Sequence, residues 1–373
     1  MILRTHSQRS ATIVLLLLAV DLLRRRRHRG RGTSLVGRLS RCRSAGAALS
    51  LYVPHLPVPR GWAEHRSGDR GHQPGSPWTI PEEALDIEAD PTGSHLYVPV
   101  QSTTSLHIFS IDPGTGSLTE VLPAVTPSGS PAGVVVHPSG NFVYVPLYFS
   151  PSVHIYARNP TTGALTSLGL SPTTGGNPNA RAVIHPSGDY LYVASQGGNQ
   201  VKAFVINQAT GLLTDNGSQT ATNVRSLSLD PTGSYLYAGT GTTSLYAFAV
   251  TPGTGVLTPL GPPTYTAGGT TNGLDFHRTS TGYVVVTENG NGSVASYAFN
   301  GGNGALSYVG SYITGTTPWS VAFCDDFVYI SHANSTHISG FTINPGTGTL
   351  APTAEGMREM TERMDDLEAV GCN

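Results

Sequence analysis

From residue 84 to residue 350 short stretches alternating apolar and polar positions with period two are separated by tight polar turns. Ser226-Leu227-Ser228-Leu229 has the alternation of a strand with one buried face. Asp230-Pro231-Thr232-Gly233 then predicts a turn, because Asp accepts backbone hydrogen bonds, Pro presets φ and Gly takes the left-handed conformation. Tyr235-Leu236-Tyr237-Ala238 reads as a second strand and Leu245 to Val250 as a third. Pro252-Gly253-Thr254-Gly255 turns the chain into a fourth, Val256-Leu257-Thr258.

This unit recurs. The first turn returns as Asp90-Pro91-Thr92-Gly93, His137-Pro138-Ser139-Gly140 and His185-Pro186-Ser187-Gly188, with looser copies at His277–Gly282 and Asp325. Successive proline-equivalent positions are 47, 48, 45, 47 and 47 residues apart. A second mark, Thr-Gly-x-Leu-Thr, keeps step at Thr115-Gly116, Thr162-Gly163, Thr210-Gly211 and Thr254-Gly255. Asn303-Gly304 and Thr347-Gly348 hold its place in the last two units. Four strands per unit, repeated at this pitch, predict an all-β propeller with six blades visible in the sequence. His137, His185 and His277 occupy the Asp position of the turn, so capping it is their expected role.

Composition agrees with that pattern. The 373 residues include 45 Gly and 27 Pro, charged residues are only 12%, and the one lysine is Lys202. Such a chain excludes long helices and coiled coils, and its apolar content excludes disorder driven by charge. The net charge of −2 conceals three segments. Residues 1–75 carry 14 Arg against Asp21, Glu64 and Asp69 and read as a basic leader, unstructured or signal-like. Its apolar run Ala11–Leu23 is too short to span a bilayer, which takes ~20 residues, so no transmembrane span is expected. As a signal it implies a secreted or cell-surface protein; otherwise the protein is cytoplasmic. Residues 77–350 form the predicted propeller. Residues 351–373 are acidic, and Met357, Met360, Met364 and Leu367 share one helical face, so a short C-terminal helix is expected there.

Motifs for serine hydrolases, nucleotide binding and zinc proteases are absent, and Cys42, Cys324 and Cys372 are too scattered for a metal site. No metal and no cofactor is therefore expected. A propeller binds its ligand over the central channel, through the loops entering each first strand and those joining the second strand to the third. Six positions before the proline-equivalent stand Leu85, Ala132, Ala180, Arg225, Asn272 and Trp319. After the second strand stand Gln101, Tyr148, Gln196, Thr240, Glu288 and His332. Arg225 and neighbouring Arg181 can clamp a carboxylate or phosphate through paired hydrogen bonds. A buried Glu288 can serve as general base. Equally, each of these groups can satisfy hydrogen bonds between blades.

The residues Leu-Tyr-Val, Val/Leu-x-x-Phe-x-Ile and Thr-Gly-x-Leu-Thr, recurring over residues 84–350, resemble the lactonase family of seven-bladed propellers. That family includes bacterial 6-phosphogluconolactonases and fungal muconate-lactonizing enzymes. The resemblance implies a seventh blade, and Leu51-Tyr52-Val53-Pro54, 45 residues before Leu96-Tyr97-Val98-Pro99, is a candidate relic of one. It also implies a polar site, most of which is replaced here. The family's Pro-Arg-His meets Thr271-Asn272-Gly273, and its Pro-His meets Asn179 or Ala180. Its Asp-Leu-Gly meets Ser195-Gln196-Gly197 and its Asn-Arg meets His332-Ala333, while Asn-Glu survives as Thr287-Glu288.

Two functions follow as expectations. The first is a ligand-binding or interaction scaffold, taking a small-molecule or carbohydrate-like ligand at the channel and open to a protein partner. Nucleic acid is not expected on the acidic propeller. The second is a sugar-lactone hydrolase or related lactonizing isomerase, with Glu288, Arg225 and Arg181 catalytic. In either, Asn179, Gln196, Asn272, Trp319 and His332 are the expected ligand contacts.

Overall fold

The computed structural model describes residues 86–359, apart from 114–116, 179–180, 262–264, 267, 278–281, 316, 325 and 333–336. The basic leader and residues 360–373 lie outside the described residues. Six antiparallel sheets follow one another as blades around a channel, each a simple meander of neighbouring strands. The second strands are His95–Val100, Phe142–Pro146, Tyr190–Ser195, Tyr235–Thr240, Tyr283–Glu288 and Phe327–His332, in blades 1 to 6. The first strands, Glu88–Ala89, Val135–Val136, Ala182–Ile184, Val224–Leu229, Leu274–Phe276 and Pro318–Cys324, line the channel. Blade 4 carries a fifth short strand, Tyr265–Thr266, on its third. The predicted all-β propeller with six visible blades is thus the observed fold, and a seventh blade is not among the described residues.

The two sequence marks turn out to be donor and acceptor of one bond. The hydroxyl of Tyr97 in blade 1 donates to the Gly163 carbonyl of blade 2 at 3.0 Å. Tyr144 donates to Gly211 and Tyr192 to Gly255, both at 2.9 Å, and Tyr237 donates to Gly304 at 2.6 Å. In each case the Leu-Tyr-Val tyrosine of one blade clasps the Thr-Gly turn of the next. Blade 5 has Val285 at the tyrosine position, and Ser296 on its third strand reaches Gly348 of blade 6 instead. These tyrosines are fully buried. Burial pushes the phenol pKa values of Tyr97, Tyr144 and Tyr192 up, Tyr97 to about 12, so these remain protonated donors. The acceptor has to be glycine on two counts. Gly255 has φ +66°, and a Cβ built on it comes within 2.3 Å of the Tyr190 ring two residues before the donor tyrosine.

Between the clasps the blades share apolar clusters. One joins Tyr192, Val201 and Ala203 of blade 3 to Leu227, Leu236 and Phe248 of blade 4, and equivalent clusters join blades 1–2, 2–3, 4–5 and 5–6. Alternate residues of each inner strand face opposite neighbours, which is why the chain shows period two yet buries both sheet faces. Blades 1 and 2 add a buried ionic knot. The Arg158 guanidinium pairs with Asp90, donates to the Tyr97 hydroxyl and reaches the Gly140 carbonyl at 2.9 Å. Burial alone raises the Asp90 carboxyl, but the bonds from His95, Thr92 and Arg158 outweigh it and hold it at about 2.

His137 and His185 cap their turns as expected and also reach across blades, while the turn after His277 lies outside the described residues. His137 Nδ1 accepts the Ser139 N–H at 3.1 Å, so Nε2 carries the hydrogen and donates to the Gly188 carbonyl of blade 3 at 2.9 Å. His185 repeats this with Ser187 and with Gly233 of blade 4.

The C-terminal expectation needs correction. Residues 350–359 are not the start of an acidic helix but part of the strand Leu350–Glu359, with Met357 opposite Ser339 in the ladder of blade 6. The physical reason is the edge presented by His337–Ile343. Its unpaired backbone groups offer more bonds than a short, marginal helix can form. Met360, Met364 and Leu367 lie outside the described residues.

Tyr192→Phe leaves the buried Gly255 carbonyl unpaired and should lower unfolding free energy by about 1–3 kcal/mol in urea denaturation. Arg158→Met strands the Asp90 carboxylate and should cost more, about 3–5 kcal/mol. A pH series separates the other groups. Burial lowers the His137 and His185 pKa values, so the unfolded chain takes up protons first. Stability should therefore be full above the ordinary imidazole pKa of about 6.5 and fall as pH drops below it. Asp90, whose pKa is depressed, should add a second loss only as pH falls from about 4 towards 2. Thermal midpoints of the double variant H137N/H185N should lose part of the first phase, His154, whose pKa burial also lowers, keeping the rest, and should keep the second.

Candidate functional site

The entry to each first strand brings the site residues to one end of the channel. Two of these strands carry bulges. The register shifts between Val224 and Ser226 in blade 4 and between Pro318 and Ser320 in blade 6, so the extra residues are Arg225 and Trp319. A bulge frees a side chain from the alternation of the pleat and re-aims it. Both residues are half-buried at the mouth. Arg225 Nη1 donates to Asn272 Oδ1 of blade 5 at 3.1 Å, fixing the guanidinium across the joint between blades. Gln196 Nε2 donates to Asn223 Oδ1 at the blade 3–4 joint. Asn289 Nδ2 donates to the Pro318 carbonyl at the blade 5–6 joint.

Arg181 stands immediately before the first strand of blade 3, with Nη1 4.0 Å from Asp86 Oδ1. Asp86 precedes the first strand of blade 1, so this pair reaches past blade 2. Asp86 also accepts the N–H groups of Ile87 at 3.0 Å and Val134 at 3.3 Å. Burial raises its pKa, with Arg181 and the two amides opposing. Sequence reasoning passed over Asp86 because it took one position per blade and Leu85 holds that position in blade 1. The signal present was an acid directly beside a mouth position in a charge-poor chain.

Glu288 is buried, at 4% exposed, and its carboxylate accepts the Gly268 N–H at 2.6 Å, the Ser293 hydroxyl at 2.7 Å and the Ser311 hydroxyl at 2.8 Å. These bonds tie the loop entering blade 5, which carries Asn272, to the third and fourth strands. That loop also packs closely on the turn Asn289–Asn291 after the second strand of blade 5, since a Cβ on Gly269 would lie 2.9 Å from the Gly290 nitrogen. His332 is likewise enclosed. Ser339 donates to the Thr314 carbonyl at 2.7 Å and so accepts from His332 Nε2–H at 2.9 Å. Asn179 lies outside the described residues. The structure therefore joins Arg225 with Asn272 and Arg181 with Asp86, and leaves Glu288 and His332 inside their blades.

Below the mouth the channel is narrow, enclosing about 70 Å³. Asp86, Glu88, Asp275, Arg181, Ser226 and Ser320 line it. Drug-sized ligands occupy roughly 300–1,000 Å³, so this passage has room for water and small ions rather than a sugar. The Ser226 hydroxyl is buried at its wall with no partner among the described residues. No helix among the described residues is long and apolar enough to cross a membrane.

The model of the family described as lactonase, 7-bladed β-propeller, matches residues 48–179, 170–272 and 262–361. The chain belongs to this family. Its solved structural neighbours agree in fold. A candidate 6-phosphogluconolactonase of Bacteroides fragilis superposes with a TM-score of 0.62 at 18% identity, over 73% of this chain and 83% of that one. The periplasmic gluconolactonase PpgL of Pseudomonas aeruginosa gives 0.61 at 20% identity, over 73% and 84%. A Lactobacillus plantarum protein gives 0.61 at 19%, over 70% and 81%. Identities this low establish shared architecture alone. No curated protein matches the sequence of this lactonase-family chain.

Because Gly268, Ser293 and Ser311 all donate to Glu288, the variant Glu288→Gln sets an amide NH₂ against donors. It should lower unfolding free energy by about 1–3 kcal/mol and open the chain around Gly268, at the entry to blade 5, to limited proteolysis. A purely catalytic Glu288 would leave both readouts unmoved.

Proposed function

We propose that this lactonase-family propeller takes a small, anionic, hydroxylated ligand of the sugar-lactone class at the mouth of its channel and hydrolyses it. The observation that carries the reading is the pair of oriented cations, Arg225 held by Asn272 and Arg181 beside Asp86, in a chain with 12% charged residues. Guanidinium groups supply paired, planar donors that suit the carboxylate or phosphate of a sugar acid. The narrow channel keeps such a ligand at the mouth, within reach of Gln196, Asn272 and Trp319. The names of the Pseudomonas and Bacteroides proteins support the same substrate class.

In the reaction, water adds to the lactone carbonyl carbon and the ring carbon–oxygen bond breaks. The ring oxygen takes up a proton, and the product is the open hydroxy acid. Asp86 as carboxylate accepts the water's proton, and its raised pKa makes it a stronger base than an ordinary aspartate. Arg181 holds the carboxylate and faces the oxyanion. Glu288, with three donors on its carboxylate, shapes the loop bearing Asn272 rather than moving protons. That engagement favours a second reading, a propeller that binds the sugar acid at this mouth without turning it over.

Hydrolysis of gluconolactone and its 6-phosphate by the full chain, measured above the spontaneous rate, tests both. Asp86→Asn should lower kcat/KM by about 10²-fold or more. The wild-type rate needs the carboxylate, so it should fall as pH drops through the raised pKa of Asp86, above the ordinary value of about 3.9, and the limb should vanish in the variant. Absence of turnover on either lactone, with gluconate still bound and Arg225→Met abolishing that binding, would establish the second reading instead.

A further inference from the structure

Blade 2 carries an aromatic corner at the channel mouth that packing does not require. Its second and third strands are joined through Tyr148, Phe149, Ser150 and Pro151. Phe149 is 71% exposed, whereas the other nine of the ten phenylalanines are buried or half-buried. The Tyr148 and Phe149 rings meet edge to face, with centroids 4.6 Å apart and planes at 77°. The loop beneath them is firmly held. The Tyr148 N–H donates to the Ser130 carbonyl at 2.7 Å, the Leu147 N–H to Ser152 at 3.1 Å and the Thr174 N–H to Pro151 at 2.8 Å, and the Leu147 side chain is fully buried. A phenyl ring held in water by a rigid loop adds nothing to the fold, and such a ring marks a contact surface.

Register shows what the corner adjoins. Four residues separate Leu147 from its partner Ser152, as four separate Ser195 from Gln200 in blade 3 and Glu288 from Ser293 in blade 5. Tyr148 therefore holds the place of Gln196 and Asn289, and Phe149 that of Gly197 and Gly290. Gln196 and Asn289 both reach the loop entering the following blade, at Asn223 and Pro318. For blade 2 the following blade is blade 3, whose first strand opens beside Arg181. Arg181 and Asp86 meet across blade 2, and Asp86 accepts the Val134 N–H of that same blade.

We propose that Tyr148 and Phe149 form the subsite that receives the sugar ring while the guanidinium groups hold the anionic group. This subsite presupposes the sugar-lactone ligand proposed for the mouth, and adds to it a preference for the closed ring over the opened chain. The hydroxyl groups of a gluco-configured ring project around its edge and leave faces of C–H groups. Such a face carries a slight positive charge and packs on the negative face of an aromatic ring, removing apolar surface of both from water. An open-chain sugar acid has no such face. Because the loop is already ordered, covering its rings costs little entropy. The corner thus holds the lactone more tightly than the hydroxy acid it becomes, which favours product release.

Calorimetry on the full chain tests this with two ligands. Glucose 6-phosphate keeps the closed ring and has no lactone to hydrolyse, and 6-phosphogluconate is its open-chain counterpart. Phe149→Ala should weaken glucose 6-phosphate about tenfold and 6-phosphogluconate by less than about twofold, and Phe149→Trp should restore the first. The thermal midpoint of Phe149→Ala should match the wild type, since the ring it removes is exposed. Arg225→Met should weaken both ligands. Unchanged glucose 6-phosphate affinity in Phe149→Ala, with Arg225→Met still abolishing binding, overturns the aromatic subsite and leaves the sugar-lactone ligand in place. Equal weakening of both ligands by Phe149→Ala also overturns it, because a displaced loop rather than lost stacking is then the cause. Binding of neither sugar phosphate by the wild type overturns the subsite and the sugar-lactone ligand together.

Discussion

A buried phenol donating to a glycine carbonyl on the next sheet is the bond on which this propeller's geometry depends. Apolar packing between blades is strong but tolerates sliding and rotation, since side chains of similar volume fit in several registers. The tyrosine clasp does not tolerate either. It fixes the angle and the height of each blade against its neighbour, and the ring stacked on the glycine excludes any other residue at the acceptor. Where the tyrosine is lost, at Val285, a serine on the adjoining strand restores the link to Gly348. The same joints carry the capping histidines at one end of the channel and the Gln196–Asn223 and Arg225–Asn272 bonds at the other.

The site is built on these fixed joints. Arg225 and Trp319 occupy bulges, so their side chains leave the two-residue alternation that the core requires of their neighbours. Arg181 and Asp86 lie just outside strands, where the pleat imposes nothing. Chemistry at the mouth is thereby separated from packing in the wall.

Much of the architecture was legible in the chain because each blade repeats the same pattern of alternation and turn. The period, the strand number and the capping role of His137 and His185 all follow from local chemistry. What was not legible involves partners far apart in sequence. Leu-Tyr-Val and Thr-Gly were visible as two separate marks, but nothing local says that Tyr192 and Gly255 meet. The methionine spacing at Met357 suggested a helix because sequence periodicity contains no information about the open edge at His337–Ile343. The three donors that hold Glu288 could not be read in advance, because Gly268, Ser293 and Ser311 come from three different segments. Asp86 was overlooked because its meaning depends on Arg181, two blades away.

The direction of the clasp has a consequence for how the molecule comes into being. Every donor tyrosine lies earlier in the chain than the glycine it grips. During synthesis each blade therefore emerges from the ribosome unfinished, its phenol waiting for an acceptor that has yet to be translated, and becomes rigid only when its successor arrives. The wheel is assembled like a zip fastener, tooth after tooth in the order of translation.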